Sequence, residues 1–173
     1  MEQILEILKY ILPSLVVFIT VFFLFKMHIQ NVERQKLLEL KQESKNIILP
    51  LRLQAYERVI LYMERITPGN LVVRLNNPSL SASQFQLMLL SAVRNEFDHN
   101  LSQQLYINSF GWSAVKNAKE EVVKLINLAA AKVEPDAPSG ELASKIFEHL
   151  VAGQQTPTAY ALEVLKKEIS IYF

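Results

Sequence analysis

The chain has no cysteine. A disulfide framework is therefore excluded, and the absence fits a reducing compartment. Glycine is scarce, with four residues in 173, which argues against a turn-rich β domain. No Gly-x-Gly or Gly-Lys-Ser/Thr element occurs, so there is no loop of the kind that cradles phosphates. An excess of charge of one sign is missing too: 18 Lys and Arg stand against 17 Asp and Glu, with no block of like charge. A nucleic-acid partner calls for a basic stripe, so none is expected. No cofactor signature is legible either.

What the chain does have is a run of sixteen uncharged residues, Tyr10 to Phe25, between Lys9 and Lys26. As a helix this run rises about 24 Å against a hydrocarbon core of about 30 Å. Apolar residues begin earlier, at Ile4, Leu5, Ile7 and Leu8, and Glu6 and Lys9 fall near the interface. Counted from Ile4 to Phe25, the stretch crosses a bilayer with modest tilt. Lys9 and Lys26 can extend their charges to the headgroups, Tyr10 suits the interface, and Pro13 lies where a kink is tolerable. A cleaved signal peptide needs a basic start, but the first eight residues hold two Glu and no Lys or Arg. A half-exposed soluble helix is disfavoured because Phe18, Phe22, Phe23 and Phe25 cover nearly all faces. An uncleaved signal anchor over residues 1–27 is the reading, with the lipid bilayer contacted through Tyr10–Phe25. Lys26, Arg34, Lys36, Lys41 and Lys45 follow the run, whereas only Lys9 and the amino terminus precede it. The positive-inside rule then puts the N-terminus out and the C-terminal body on the cytoplasmic side of the inner membrane.

Residues 28–46 read as a polar helical stalk with sparse apolar positions at Val32, Leu37, Leu38 and Leu40. Residues 47–173 read as one helical domain. Leu49, Tyr56 and Met63 fall seven apart, and Arg52, Val59 and Ile66 interleave at coiled-coil-like spacing. Pro50 should break or kink this helix near Leu49, or else open a second helix. Thr67-Pro68-Gly69-Asn70 ends it. Leu71 to Leu75 reads as a short extended piece, followed by a turn at Asn76-Asn77-Pro78. Ser81-Ala-Ser-Gln84 is a capping box that opens a helix to about Gln103. A further helix is expected over about Trp112 to Val133, and a loop over 134–140. A short helix carrying Leu142, Ile146 and Leu150 should close at Gly153. The last helix should start with Thr156 as N-cap and Pro157 at N1, and carry Leu162, Leu165, Ile169 and Tyr172. The fold class is all-α: an N-terminal transmembrane helix, a long stalk helix, then a small helical bundle.

Glu96-Phe-Asp-His99 is the sharpest chemical element, since Glu and His three apart form half of a bundle di-metal site. The second half is missing: neither His28 nor His149 has Glu three residues before it. No metal is therefore expected. Acid–base work by Asp98 and His99 needs a cleft that sequence does not show. A polar network at a helix end, extended by Asn100, Gln103 and Gln104, is the simpler reading. Glu57-Arg58 and Glu64-Arg65 repeat seven apart, so both arginines share a helix face. They can pair with Glu96 or Asp98 across a helix interface or clamp an anionic ligand. Pairing is preferred, because nothing beside them cradles phosphate. Tyr106, Phe110 and Trp112 suggest a core corner. No legible nucleophile–base pair exists, so the balance is against an enzyme.

Pro50-Leu-Arg-Leu-Gln-Ala-Tyr-Glu-Arg-Val, Met63-Glu-Arg-Ile-Thr-Pro-Gly-Asn-Leu, Asn95-Glu-Phe-Asp-His-Asn-Leu-Ser-Gln-Gln-Leu-Tyr-Ile, Trp112 and Asn117-Ala-Lys-Glu-Glu resemble an uncharacterised family of Bacteroidota proteins with a domain of unknown function. The resemblance covers about Gln35 to Lys132. It implies single-pass membrane proteins with a helical cytoplasmic body, and carries no activity. A membrane-tethered interaction or scaffold module, docking a protein partner or a second copy, is the expected function. The alternative is a small-ligand sensor or enzyme built on Arg58, Arg65, Asp98 and His99.

Overall fold

The computed structural model describes residues 2–152 and 156–172, with the side chains of 2–9, 11–13, 152 and 172 outside the description. The anchor residues Ile4, Leu5, Glu6, Ile7, Leu8, Lys9 and Pro13 have their side chains in that undescribed set. Gly153, the expected helix stop, also lies outside the described residues.

The architecture is all-α. Among the described residues six helices follow in order: α1 Glu2–Ile66, α2 Pro68–Leu75, α3 Ala82–Asn100, α4 Ser109–Ala130, α5 Ser139–Ala152 and α6 Ala159–Ile169. Short 3-10 segments cover Leu101–Leu105 and Ser170–Tyr172. By contacts the chain divides into two units, Met1–Leu49 and Pro50–Phe173.

The first unit is helical, and its described side chains are almost all exposed. From Ser14 onward α1 is long and apolar enough to cross a membrane, with an 18-residue window of mean hydropathy 1.8 and none of that window buried. Phe18, Phe22, Phe23 and Phe25 are all exposed, as are the stalk residues Leu37, Leu38 and Leu40.

The expected break at Pro50 does not occur: helical geometry runs through it to Ile66. A proline loses one backbone donor and crowds the preceding turn, but the remaining hydrogen bonds on either side carry the helix across.

In the second unit, Tyr56, Val59, Met63 and Ile66 are buried. These positions are spaced three and four apart, so they form one stripe of α1 facing the core. Helix α3 packs on α4 and α5, and α4 packs on α5 and α6. Phe85, Leu89 and Val93 of α3 meet Val115, Val122 and Ile126 of α4 in the central cluster, with Leu142, Ile146 and Leu165 closing it.

Several boundaries have clear local causes. Thr67-Pro68 does end α1, but the five residues after Asn70 are helical rather than extended. Pro68 occupies the first turn, where its missing N–H costs nothing, and Pro68, Leu71 and Val72 bury one face of α2. Burial overrides the extended preference of Val72 and Val73. The Ser81 capping box is complete: its hydroxyl accepts from the Gln84 N–H at 3.3 Å, and Gln84 Oε1 accepts from the Ser81 N–H at 3.1 Å. Helix α3 stops at Asn100 and tightens into the 3-10 turn, short of Gln103. Helix α4 starts three residues before Trp112 because the Asn108 side chain caps it, accepting from the Gly111 N–H at 2.8 Å.

The last helix starts later than its proline suggests. Thr156 and Pro157 form a turn in which the Thr156 carbonyl accepts from the Ala159 N–H at 3.0 Å. Thr158 is the N-cap residue, without a side-chain cap bond. Its hydroxyl shares a 2.7 Å hydrogen bond with that of Thr67, fastening the start of α6 to the α1–α2 corner.

Candidate functional site

The polar residues singled out by sequence gather partly on one face of the second unit, where α1 lies beside α3. Arg65 and Glu96 form an ion pair at 2.7 Å, and Arg74 of α2 stands 3.9 Å from the same Glu96 oxygen. Two shallow cavities flank this pair. One of about 440 Å³ is lined by Arg65, Ala92, Asn95, Glu96 and His99. The other, about 180 Å³, adds Arg58, Leu61, Tyr62 and Asn100. Asn100 is buried and its side-chain amide donates to the Glu96 carbonyl at 2.8 Å. That bond satisfies a carbonyl at the end of α3.

Other members are not brought in. Asp98 lies outside both cavities and pairs with neither arginine. Glu57, Glu64 and Gln104 are exposed. Gln103 is half-buried and donates to the neighbouring Ser102 hydroxyl at 3.3 Å. The aromatic corner is also divided. Trp112 is buried, Tyr106 is half-buried, and Phe110 is largely exposed, so only Trp112 belongs to the core.

Beneath the ion pair lies an aromatic column that the sequence did not reveal. Tyr62 sits 6.2 Å from Phe97, and Phe97 stacks on Trp112 at 5.8 Å. Lys119 holds its ammonium 4.4 Å above the Phe97 ring and pairs with Glu120 at 2.8 Å. The available signal was position: Tyr62 falls between Val59 and Ile66 on the buried stripe of α1. Its side chain is 1% exposed, and its hydroxyl makes no hydrogen bond among the described residues. Burial pushes the phenol well above its ordinary value, helped by the charges of Glu96, Glu120 and Asp98.

The geometry describes a polar seam over an aromatic column. Arg65 is engaged by Glu96. Among the described residues no group of three His, Asp or Glu stands close enough to hold a metal ion.

A family model matches residues 2–172. The chain belongs to DUF7935, a family of unknown function. No curated protein and no solved structure matches it. The DUF7935 match extends through the apolar part of α1 as well as the bundle, so both belong to the family's sequence pattern.

Two outcomes follow for the seam of this DUF7935 protein. Arg65 keeps 54% of its side chain exposed, so Arg65→Ala should cost less than about 1 kcal/mol in a denaturant melt. Tyr62→Phe removes a buried hydroxyl without a partner, and should leave stability unchanged or raise it by about 1 kcal/mol. The sign with pH is fixed. Below about pH 10 both folded and unfolded Tyr62 hold the proton. As pH rises further, the unfolded phenol ionises first and the fold loses stability. Tyr62→Phe should lessen that alkaline loss, as read from unfolding midpoints at about pH 8 and about pH 11.

Proposed function

We propose that this DUF7935 protein is a single-pass, membrane-tethered docking module. Its anchor is Tyr10–Phe25, its N-terminus faces out, and its helical body works at the cytoplasmic face of the inner membrane. The observation that carries the reading is the apolar stretch of α1 whose span-length window has none of its surface buried. Exposed phenylalanines and valines over that length need lipid or protein around them. Orientation is supported by the basic residues on the body side, Lys26 to Lys45.

The docking element is the stalk. Leu37 and Leu40, with Ile47 just beyond its end, are exposed and follow heptad spacing, with Ser44 between them. The stripe lower on α1, from Tyr56 to Ile66, is consumed by the body's own core, so it is unavailable to a second chain. A coiled-coil partner, a second copy or another protein, would cover the upper stripe. The ligand-sensor reading has less support, because Glu96 occupies Arg65 and Asp98 lies outside both cavities.

Reporter fusions at the C-terminus test the topology: a cytoplasm-active reporter should work and a periplasm-active one should not. Crosslinking in cells through photoreactive residues at Leu37 and Leu40 should give one dominant adduct by mass spectrometry. Periplasmic reporter activity would reverse the orientation, and an empty crosslink at both positions would remove the docking role.

A further inference from the structure

We propose that the occupant of the stripe formed by Leu37, Leu40 and Ile47 is a parallel helix of another protein, with acidic residues seven apart along one edge, and not a second copy of this chain. The inference rests on the docking role proposed above and names the chemistry of the partner.

With Leu37 and Ser44 as a positions and Leu40 and Ile47 as d positions, the edges of the stripe are fixed. Arg34 and Lys41 fall on the e edge, and Lys36 and Glu43 on the g edge. All four are exposed. Lys36 has Glu33 and Glu39 three residues to either side, within reach on its own helix. Arg34 and Lys41 have no acid three or four residues away. Among the described residues no ion pair involves either of them. Two cations on one edge, seven apart, are left unanswered by their own helix.

The anchor fixes how a second copy would lie. Two chains inserted in one membrane from the same side run parallel, with this part of α1 at the same height. Sliding one past the other by a heptad moves its anchor about 10 Å through a hydrocarbon core of about 30 Å, and draws Lys9 or Lys26 into lipid. In the parallel, in-register pair each g residue meets the e residue of the next heptad on the other chain. Lys36 then faces Lys41 of the second copy, on both sides of the pair. Glu43 faces Ile48 and Ile29 faces Arg34, so no attractive edge pair forms. Ser44 faces Ser44 in the middle of the stripe, where two small side chains leave space that larger apolar residues fill.

An acidic helix removes each of these faults. Acids on its g edge meet Arg34 and Lys41, and a large apolar residue opposite Ser44 fills the gap. Anionic headgroups do not take its place. Arg34 and Lys41 stand about 12 and 22 Å along the helix from Lys26, beyond a Debye length of about 8 Å.

The test uses the full chain in phosphatidylcholine vesicles, labelled through Gln42→Cys. The sequence has no other cysteine, and Gln42 is exposed at an f position, away from the stripe. Energy transfer between donor- and acceptor-labelled copies reads self-association. The wild type should stay at the level of random encounter in the bilayer. Lys41→Glu turns both Lys36–Lys41 contacts into opposite-charge pairs, and should raise self-affinity about tenfold or more. Two synthetic helical peptides, with Leu and Ile at a and d and either Glu or Lys at every e and g position, read the partner's charge. The Glu peptide should bind the wild type about tenfold more tightly than the Lys peptide, and Arg34→Glu with Lys41→Glu should reverse that preference. Wild-type self-association equal to that of Lys41→Glu would overturn the proposal in favour of a second copy, with the docking role intact. Equal binding of the two peptides would overturn the choice of an acidic partner, again with docking intact. If neither peptide binds and the wild type does not self-associate, the stripe docks nothing and both readings fall.

Discussion

Placing two arginines in the apolar run, Val17→Arg with Val21→Arg, is expected to move the chain out of the carbonate-resistant membrane fraction. Both positions lie well inside Tyr10–Phe25, and both side chains are exposed. They are one helical turn apart, so both charges project from the same side of α1. Each arginine near the centre of a span costs about 2.5 to 3.5 kcal/mol on insertion scales. The pair then costs about 5 to 7 kcal/mol, which is four to five powers of ten in the insertion equilibrium. A single arginine can reach a headgroup by extending its stem, and the double substitution limits that escape. Leu38→Arg, on the exposed stalk, serves as the control and should leave the chain in the pellet. If the double variant stays in the carbonate-resistant fraction, the exposed segment of α1 is not what holds the protein to membranes.

The long apolar helix and the bundle were legible in sequence for different reasons. The apolar helix declares itself through composition, since four phenylalanines spread around it leave no face suited to water. The bundle declares itself through period: Phe85, Leu89 and Val93 of α3, or Val115, Val122 and Ile126 of α4, follow one face and are all buried. Local signals failed where a residue has two uses. Pro50 reads as a breaker, yet α1 runs through it. Pro68 reads as a stop, and it is also the first turn of α2. Pro157 reads as the start of a helix, whose first residue is Ala159. Proline fixes one dihedral and removes one donor, and which use prevails depends on whether the neighbouring apolar residues find a core to enter.

The polar residues were legible as types, with an arginine pairing to Glu96 or Asp98 expected but not which pair forms. That Arg65 meets Glu96 follows from how α1 lies on α3, which periodicity does not specify. Tyr56 and Glu168 are 112 positions apart, and nothing local to either announces the other. Gly111 likewise reads as an ordinary helix-start residue until the Glu168 carboxylate is seen against it. Such pairings depend on long-range packing, so a single sequence without structure leaves them open.

Two phenylalanines of this chain should respond very unequally to the same truncation. Phe85 is fully buried, whereas Phe110 is 62% exposed. Removing the Phe85 ring deletes its transfer free energy and leaves a cavity among Leu89, Val122 and the other side chains of the core. Phe85→Ala should therefore cost about 3 to 5 kcal/mol. Whole domains are stable by only about 5 to 15 kcal/mol, so this one change takes a large share and should lower the amount of full-length protein in cells. Phe110→Ala removes a ring already largely in water and should shift the denaturation midpoint by about 0.5 kcal/mol or less. Both variants are read on the full chain by urea unfolding, followed through Trp112, which stacks on Phe97 beside the core. Equal losses would mean that Phe110 is covered by contacts absent from the monomer. A small loss at Phe85 would mean that the core relaxes around the missing ring, against the close packing of α3 on α4 and α5.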